Sequence, residues 1–119
     1  MQTAAFIATA LVALLHVYFL VLEMFLWTKP YGRRVFGLTP EKAEMTKSLA
    51  ANQGLYNGFL AAGLAWGLLL GADGYALKLF FLGCVIIAGI FGAATANRKI
   101  LYVQALPGAI AVALTCLAR

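Results

Sequence analysis

Residues 52–64 read Asn-Gln-Gly-Leu-Tyr-Asn-Gly-Phe-Leu-Ala-Ala-Gly-Leu, and the fold turns on this stretch. It is mostly apolar, yet its first six residues include Asn52, Gln53, Tyr56 and Asn57. In hydrocarbon an amide side chain without a partner is costly, so these groups are expected to face protein or a wet cavity. Gly54, Gly58 and Ala62 recur every four residues, a small-xxx-small stripe that lets another helix approach closely. One segment therefore combines a packing face with a polar cluster. The rest of the chain is expected to supply its partners.

Composition points the same way. The 119 residues are 64% hydrophobic and 11% charged, with a mean hydropathy of +0.92. Soluble domains carry about 25% charged residues, so a water-facing single core is a poor fit. Four apolar runs stand near the ~20 residues that cross a bilayer as helix. The period-two alternation of barrel strands is missing. The expected fold class is all-α, a four-helix transmembrane bundle running up-down-up-down as one integral membrane domain.

The expected spans are residues 3–27, 48–71, 75–96 and 100–117, with a loop and helix extension at 28–47. Span one contains no Gly or Pro and stops before Lys29, Pro30 and Gly32. It lacks a basic leader and is too long for a signal peptide, so it reads as a retained span. Residues 33–39 read as the one true loop. Thr39-Pro40-Glu41 then reads as a helix start: hydroxyl N-cap, proline at the first position, acid at the positive end of the dipole. Gly63, Gly67 and Gly71 make a second stripe, and Gly89 and Gly92 are the close-contact positions of span three. Pro107-Gly108 predicts a kink in span four.

The net charge of +5 does not indicate nucleic acid, because the basic residues flank the apolar runs. Lys29, Arg33, Arg34, Lys42, Lys47, Arg98 and Lys99 belong to the connections after spans one and three. Lys78 and Arg119 are alone on the other side. The positive-inside rule then predicts both connections in the cytoplasm and both termini outside. Membrane lipids are the expected partners, a homodimer is one arrangement that would enlarge so small a chain, and a bacterial inner membrane is the expected location of this multi-pass protein.

Apart from Thr3, Thr9, Thr115 and His16, which falls near mid-membrane, the strongly polar residues of the spans gather in the cytoplasmic half. Span one carries the single intramembrane carboxylate, Glu23, and the single histidine, His16, seven residues apart and so on one stripe about 10 Å apart along the axis. Trp27 extends that stripe to the cytoplasmic surface. Asn52, Gln53, Tyr56 and Asn57 of span two, Thr95 of span three and Gln104 of span four fall in the same half. These residues are the expected proton- and substrate-binding set, in a chamber opening to the cytoplasm. The plainer reading treats the amides as interhelical glue, worth about 0.6 kcal/mol each.

No metal set is expected from one His, one Glu and two cysteines, Cys84 and Cys116, set at different depths. No cofactor is expected either, since the glycines are helical packing residues rather than a phosphate loop. Ser48 has no histidine at its height and does not read as a nucleophile.

Three sets of residues carry a resemblance. They are Leu15-His16-x-Tyr18 with Leu22-Glu23-Met24-Phe25-Leu26-Trp27; Asn52-Gln53-Gly54-x-Tyr56-Asn57-Gly58-Phe59-Leu60-Ala61; and Ala88-Gly89-Ile90-Phe91-Gly92 with Thr95, then Gln104-x-x-Pro107. The chain resembles, over nearly its whole length, the domain-of-unknown-function family 1304 of small membrane proteins. The resemblance implies four spans and an integral membrane location. It implies no particular activity.

Three function classes follow. The first is a small proton-coupled transporter of a small or amphiphilic molecule, with Glu23 exchanging a proton for substrate. The second is a membrane-embedded enzyme of isomerase type, with Glu23 and His16 as acid and base on a lipid-like substrate. The third is a lipid-binding or assembly subunit, in which the packing stripes of Gly54, Gly58, Ala62, Gly89 and Gly92 are the purpose. An acid without nucleophile, metal or cofactor loop favours transport.

Overall fold

The computed structural model describes residues 1–119, and every regular element in it is helical. Helix α1 runs Gln2–Met24. It has no internal Gly or Pro to break it, and it ends where the Phe25 and Leu26 N–H groups both close onto the Val21 carbonyl. Phe25 to Trp27, expected inside the first span, therefore belong to a turn.

The expected loop at 33–39 is mostly helix. Helix α2 covers Pro30–Phe36, begun by Pro30 at its first position and ended by Gly37 at φ 65. A left-handed C-cap is cheap only for glycine, and here the Gly37 and Leu38 N–H groups both reach the Arg33 carbonyl. Gly32 lets this short helix lie against the preceding turn: a Cβ at that position would overlap the Leu26 carbonyl. Only residues 37–39 remain irregular.

Helix α3 spans Pro40–Leu69. Thr39 caps it as expected, with the Lys42 N–H donating to Thr39 Oγ1 at 3.1 Å. A 3-10 turn at Gly71–Gly74 follows, then helix α4 at Tyr75–Thr95. Helix α5, Leu106–Ala118, is preceded by a π-turn at Leu101–Ala105. The expected kink at Pro107 takes this form because proline cannot donate and its ring crowds the carbonyl four residues back. One wider turn absorbs the mismatch, and the Leu106 N–H bonds to the Leu101 carbonyl five residues back.

Three segments are long and apolar enough to cross a membrane: Gln2–Met24, Gly71–Thr95 and Leu101–Ala118. Their exposed residues include Leu11, Leu14, Phe80, Ile87 and Phe91, the surface a lipid-facing helix presents. This is a membrane protein. Helix α3 is the exception among the four expected spans. Its first two turns are charged and Asn52, Gln53 and Asn57 follow, so its length is ample but its polarity is not matched to hydrocarbon on its own.

The chain forms two compact units. Unit 1 comprises Met1–Leu14 and Leu60–Arg119, and unit 2 comprises Leu15–Phe59. The core of unit 1 is Val12, Ala13, Leu64, Leu82, Val85 and Ala111. Glycines set its helix spacing. Gly63 lies under the Phe81 ring, and a Cβ on Gly89 would stand 2.5 Å from the Ala105 nitrogen. Among lipid tails such contact is driven by van der Waals packing rather than by water exclusion. In this unit Gly71 does not continue the Gly63–Gly67 stripe. It sits at φ 60 with nothing near it, and serves the turn.

Candidate functional site

The site lies in unit 2, where α1 and α3 meet through Gly54. A Cβ on Gly54 would stand 2.6 Å from Met24 Cγ, 3.1 Å from Glu23 Cβ and 3.3 Å from the Leu20 carbonyl oxygen. Only a glycine lets the α3 backbone come this near. Three residues later on the same face, Asn57 reaches Glu23 and donates from Nδ2 to Oε1 at 2.5 Å. Asn57 is buried and Glu23 half-buried. An ionised carboxylate is acceptor-only, so the amide N–H is the donor that matches it.

Glu23 also forms part of the wall of a cavity of about 240 Å³, together with Trp27, Thr28, Lys47, Ser48 and Ala51. Trp27 is fixed from two directions. Its Nε1–H donates to Thr46 Oγ1 at 3.0 Å, and its ring packs on Phe36 at 4.8 Å. Thr46 is itself held by donating to the Lys42 carbonyl at 2.7 Å. Lys47 forms an ion pair with Glu44; both are exposed, so the pair contributes little to stability. The result is one carboxylate with an amide donor, an indole wall and a cation at the rim. Such a pocket can hold a small polar or cationic group beside an apolar body.

The other expected site residues divide sharply. On α3 the buried positions of unit 2 are Ala43, Ala50, Gly54 and Asn57, whereas Asn52, Gln53 and Tyr56 are exposed. His16 is fully buried, with its ring edge-on to Phe19 at 5.4 Å. Thr95 is exposed and its hydroxyl donates to the Phe91 carbonyl, while Gln104 is buried in the π-turn; both belong to unit 1. Of the expected polar set, Glu23, Asn57 and Trp27 are brought together. Among the packing positions Gly54, Gly58 and Gly89 meet close neighbours, a Cβ added to Gly92 would stand 3.1 Å from Ile100 Cγ2, and Ala62 is exposed.

Sequence reasoning missed Thr28, Lys47, Ser48 and Thr46. The signal available was spacing: Lys47 and Ser48 lie four and three residues before Ala51, a small residue that leaves room beside the Glu23 turn. Both cysteines are free thiols, and no three His, Cys, Asp or Glu side chains are grouped to hold a metal ion.

Comparison with known proteins agrees with the motif resemblance. Residues 10–116 match the family model described as a protein of unknown function (DUF1304). The chain is 30% identical over 106 residues to the uncharacterized protein YpaA of Lactococcus lactis subsp. lactis (strain IL1403), covering 87% of this chain and 89% of that one. No solved structure matches. With a family match that takes in the Glu23 turn, Asn57 and both glycine-contact regions, this chain belongs to the DUF1304 family of proteins of unknown function.

Proposed function

We propose that this protein is a four-span, multi-pass bacterial inner-membrane protein that moves a small cationic or amphiphilic molecule, with Glu23 exchanging a proton for that molecule. The observation that carries this reading is Glu23 itself, which stands in the wall of a cavity that Trp27 also lines and is held from behind by the Asn57 amide. An amide partner orients a carboxylate without taking its proton. That suits a group which must alternate between holding a proton and holding a cation.

The excess of basic residues on the connections after spans one and three supports a cytoplasmic mouth for this site. Helix α3 is the fourth span in this reading. The exposed Asn52 and Gln53 are costly toward lipid, which supports a second copy of the chain covering that face.

The test is reconstitution of wild type and Glu23→Gln in liposomes with an imposed pH gradient and an internal pH dye, against a panel of hydrophobic cations and small amphiphiles. At least one compound is expected to collapse the gradient with wild type and not with the variant. Identical traces for the two folded proteins across the panel would rule out proton coupling at Glu23.

A further inference from the structure

Unit 1 contains a second cavity, of about 430 Å³, which no part of the transport reading uses. It lies where α1 begins, the 3-10 turn hands over to α4, and α5 ends. These are ends of apolar helices, the level at which lipid headgroups meet protein. Its wall combines Lys78 and Arg119 with Thr115 and Gln2, and with the apolar Phe6 and Leu68. No Asp or Glu lines it; Asp73 of the neighbouring turn is exposed and outside the wall.

Three observations converge on an anion. Thr115 is only 4% exposed, and its Oγ is buried with no hydrogen-bond partner. A buried hydroxyl left unpaired carries a desolvation cost that an entering acceptor would remove. Lys78 is half-buried in the first turn of α4, where a cation opposes the helix dipole and an anion would offset it. Arg119 is held over the Tyr75 ring at 4.3 Å, which fixes a second cation at the same cavity.

We propose that this cavity binds a phosphate-bearing anion, with Lys78 and Arg119 meeting its charge and Thr115 donating to one of its oxygens. Phe6 and Leu68 stand beside whatever apolar body carries the phosphate. The cavity thus accepts either a lipid headgroup or free phosphate by the same chemistry, and the test separates the two.

The purified full chain in neutral detergent is titrated with dihexanoyl phosphatidylglycerol, with inorganic phosphate and with dihexanoyl phosphatidylcholine, and binding is read from phosphorus-31 line broadening. Phosphatidylglycerol is expected to bind, and phosphatidylcholine, whose phosphodiester is accompanied by a choline cation that Lys78 and Arg119 repel, to bind at least about tenfold more weakly. Lys78→Gln should weaken phosphatidylglycerol by about tenfold and Thr115→Val by about threefold, with Lys99→Gln as the unaffected control. Inorganic phosphate binding with the same sensitivity to Lys78→Gln identifies a free-anion site. Its failure to bind, with phosphatidylglycerol retained, identifies a headgroup site. Equal binding of the two lipids, or folded Lys78→Gln binding as wild type does, overturns the proposal. If Lys78→Gln does not fold, Thr115→Val decides: unchanged binding by that near-isosteric variant overturns it equally.

Discussion

In unit 1, a Cβ added to Gly89 would meet the Ala105 backbone, at 2.5 Å from its nitrogen and 2.9 Å from its Cα. In unit 2, one added to Gly58 would meet only Leu20 Cδ1, at 2.7 Å. The first neighbour is main chain and cannot move without taking its helix with it. The second is the far end of a flexible side chain. The contact of α4 with the π-turn in unit 1 is therefore spaced by backbone, whereas the contact of α3 with α1 at Gly58 in unit 2 is spaced by a side chain beside a polar pair. The difference separates a rigid packing region from a region with room for a ligand-responsive carboxylate.

The comparison breaks first at Gly89. Gly89→Leu should lower stability by about 3 kcal/mol or more, since overpacking against backbone has no cheap relaxation. Thermal unfolding in detergent measures it, and a melting temperature within a degree of wild type would remove the claim that backbone contact spaces α4 from the π-turn. Next in size is Asn57→Leu, which takes the donor from Glu23 and should cost about 2–3 kcal/mol. A double-mutant cycle with Glu23→Leu, which removes the acceptor, isolates the pair, and strictly additive effects would mean that the hydrogen bond contributes nothing.

Gly71→Ala tests a different property of glycine. Nothing lies within 4 Å of it, yet its φ of +60 is unfavourable for a residue with a side chain, so a loss of about 1 kcal/mol is expected. No change would show that the turn re-forms with another geometry. The smallest effect is expected at Gly58→Ala. Leu20 can shift its terminal methyl, and alanine restores helix propensity, so the two effects should cancel to within about 0.5 kcal/mol. A loss as large as that at Gly89 would erase the distinction between the units.

Much of the local structure was legible from residue chemistry. Thr39-Pro40-Glu41 marks a helix start because a hydroxyl cap and a donor-less proline both suit free N–H groups, and Thr39 does cap α3. Pro107 marks a disturbed helix for the converse reason, and the π-turn at Leu101–Ala105 absorbs it. The Pro30–Phe36 helix was missed although Pro30 and Gly37 bracket it, because seven residues are too few to show a helical period.

The seam of α3 shows where sequence reading stops. Gly54, Gly58 and Ala62 repeat every four residues, but each step of four advances 400°, so the stripe drifts about 40° per step around a helix of 3.6 residues per turn. Between Ala50 and Leu64 the buried seam instead runs Ala50, Gly54, Asn57, Ala61 and Leu64, alternating steps of four and three that hold one face, with Gly63 buried beside it. Asn57 lies on that seam; Asn52, Gln53 and Tyr56 do not. By itself the sequence determined a helical membrane protein, its caps and breaks, and the identity of the lone acid Glu23, because those depend on composition and on neighbours along the chain. Only the tertiary structure decided which amide meets that acid, and that Lys78, Arg119 and Thr115 share a cavity. Those outcomes depend on how helices rotate and approach one another, which is set by contacts between residues far apart in the chain.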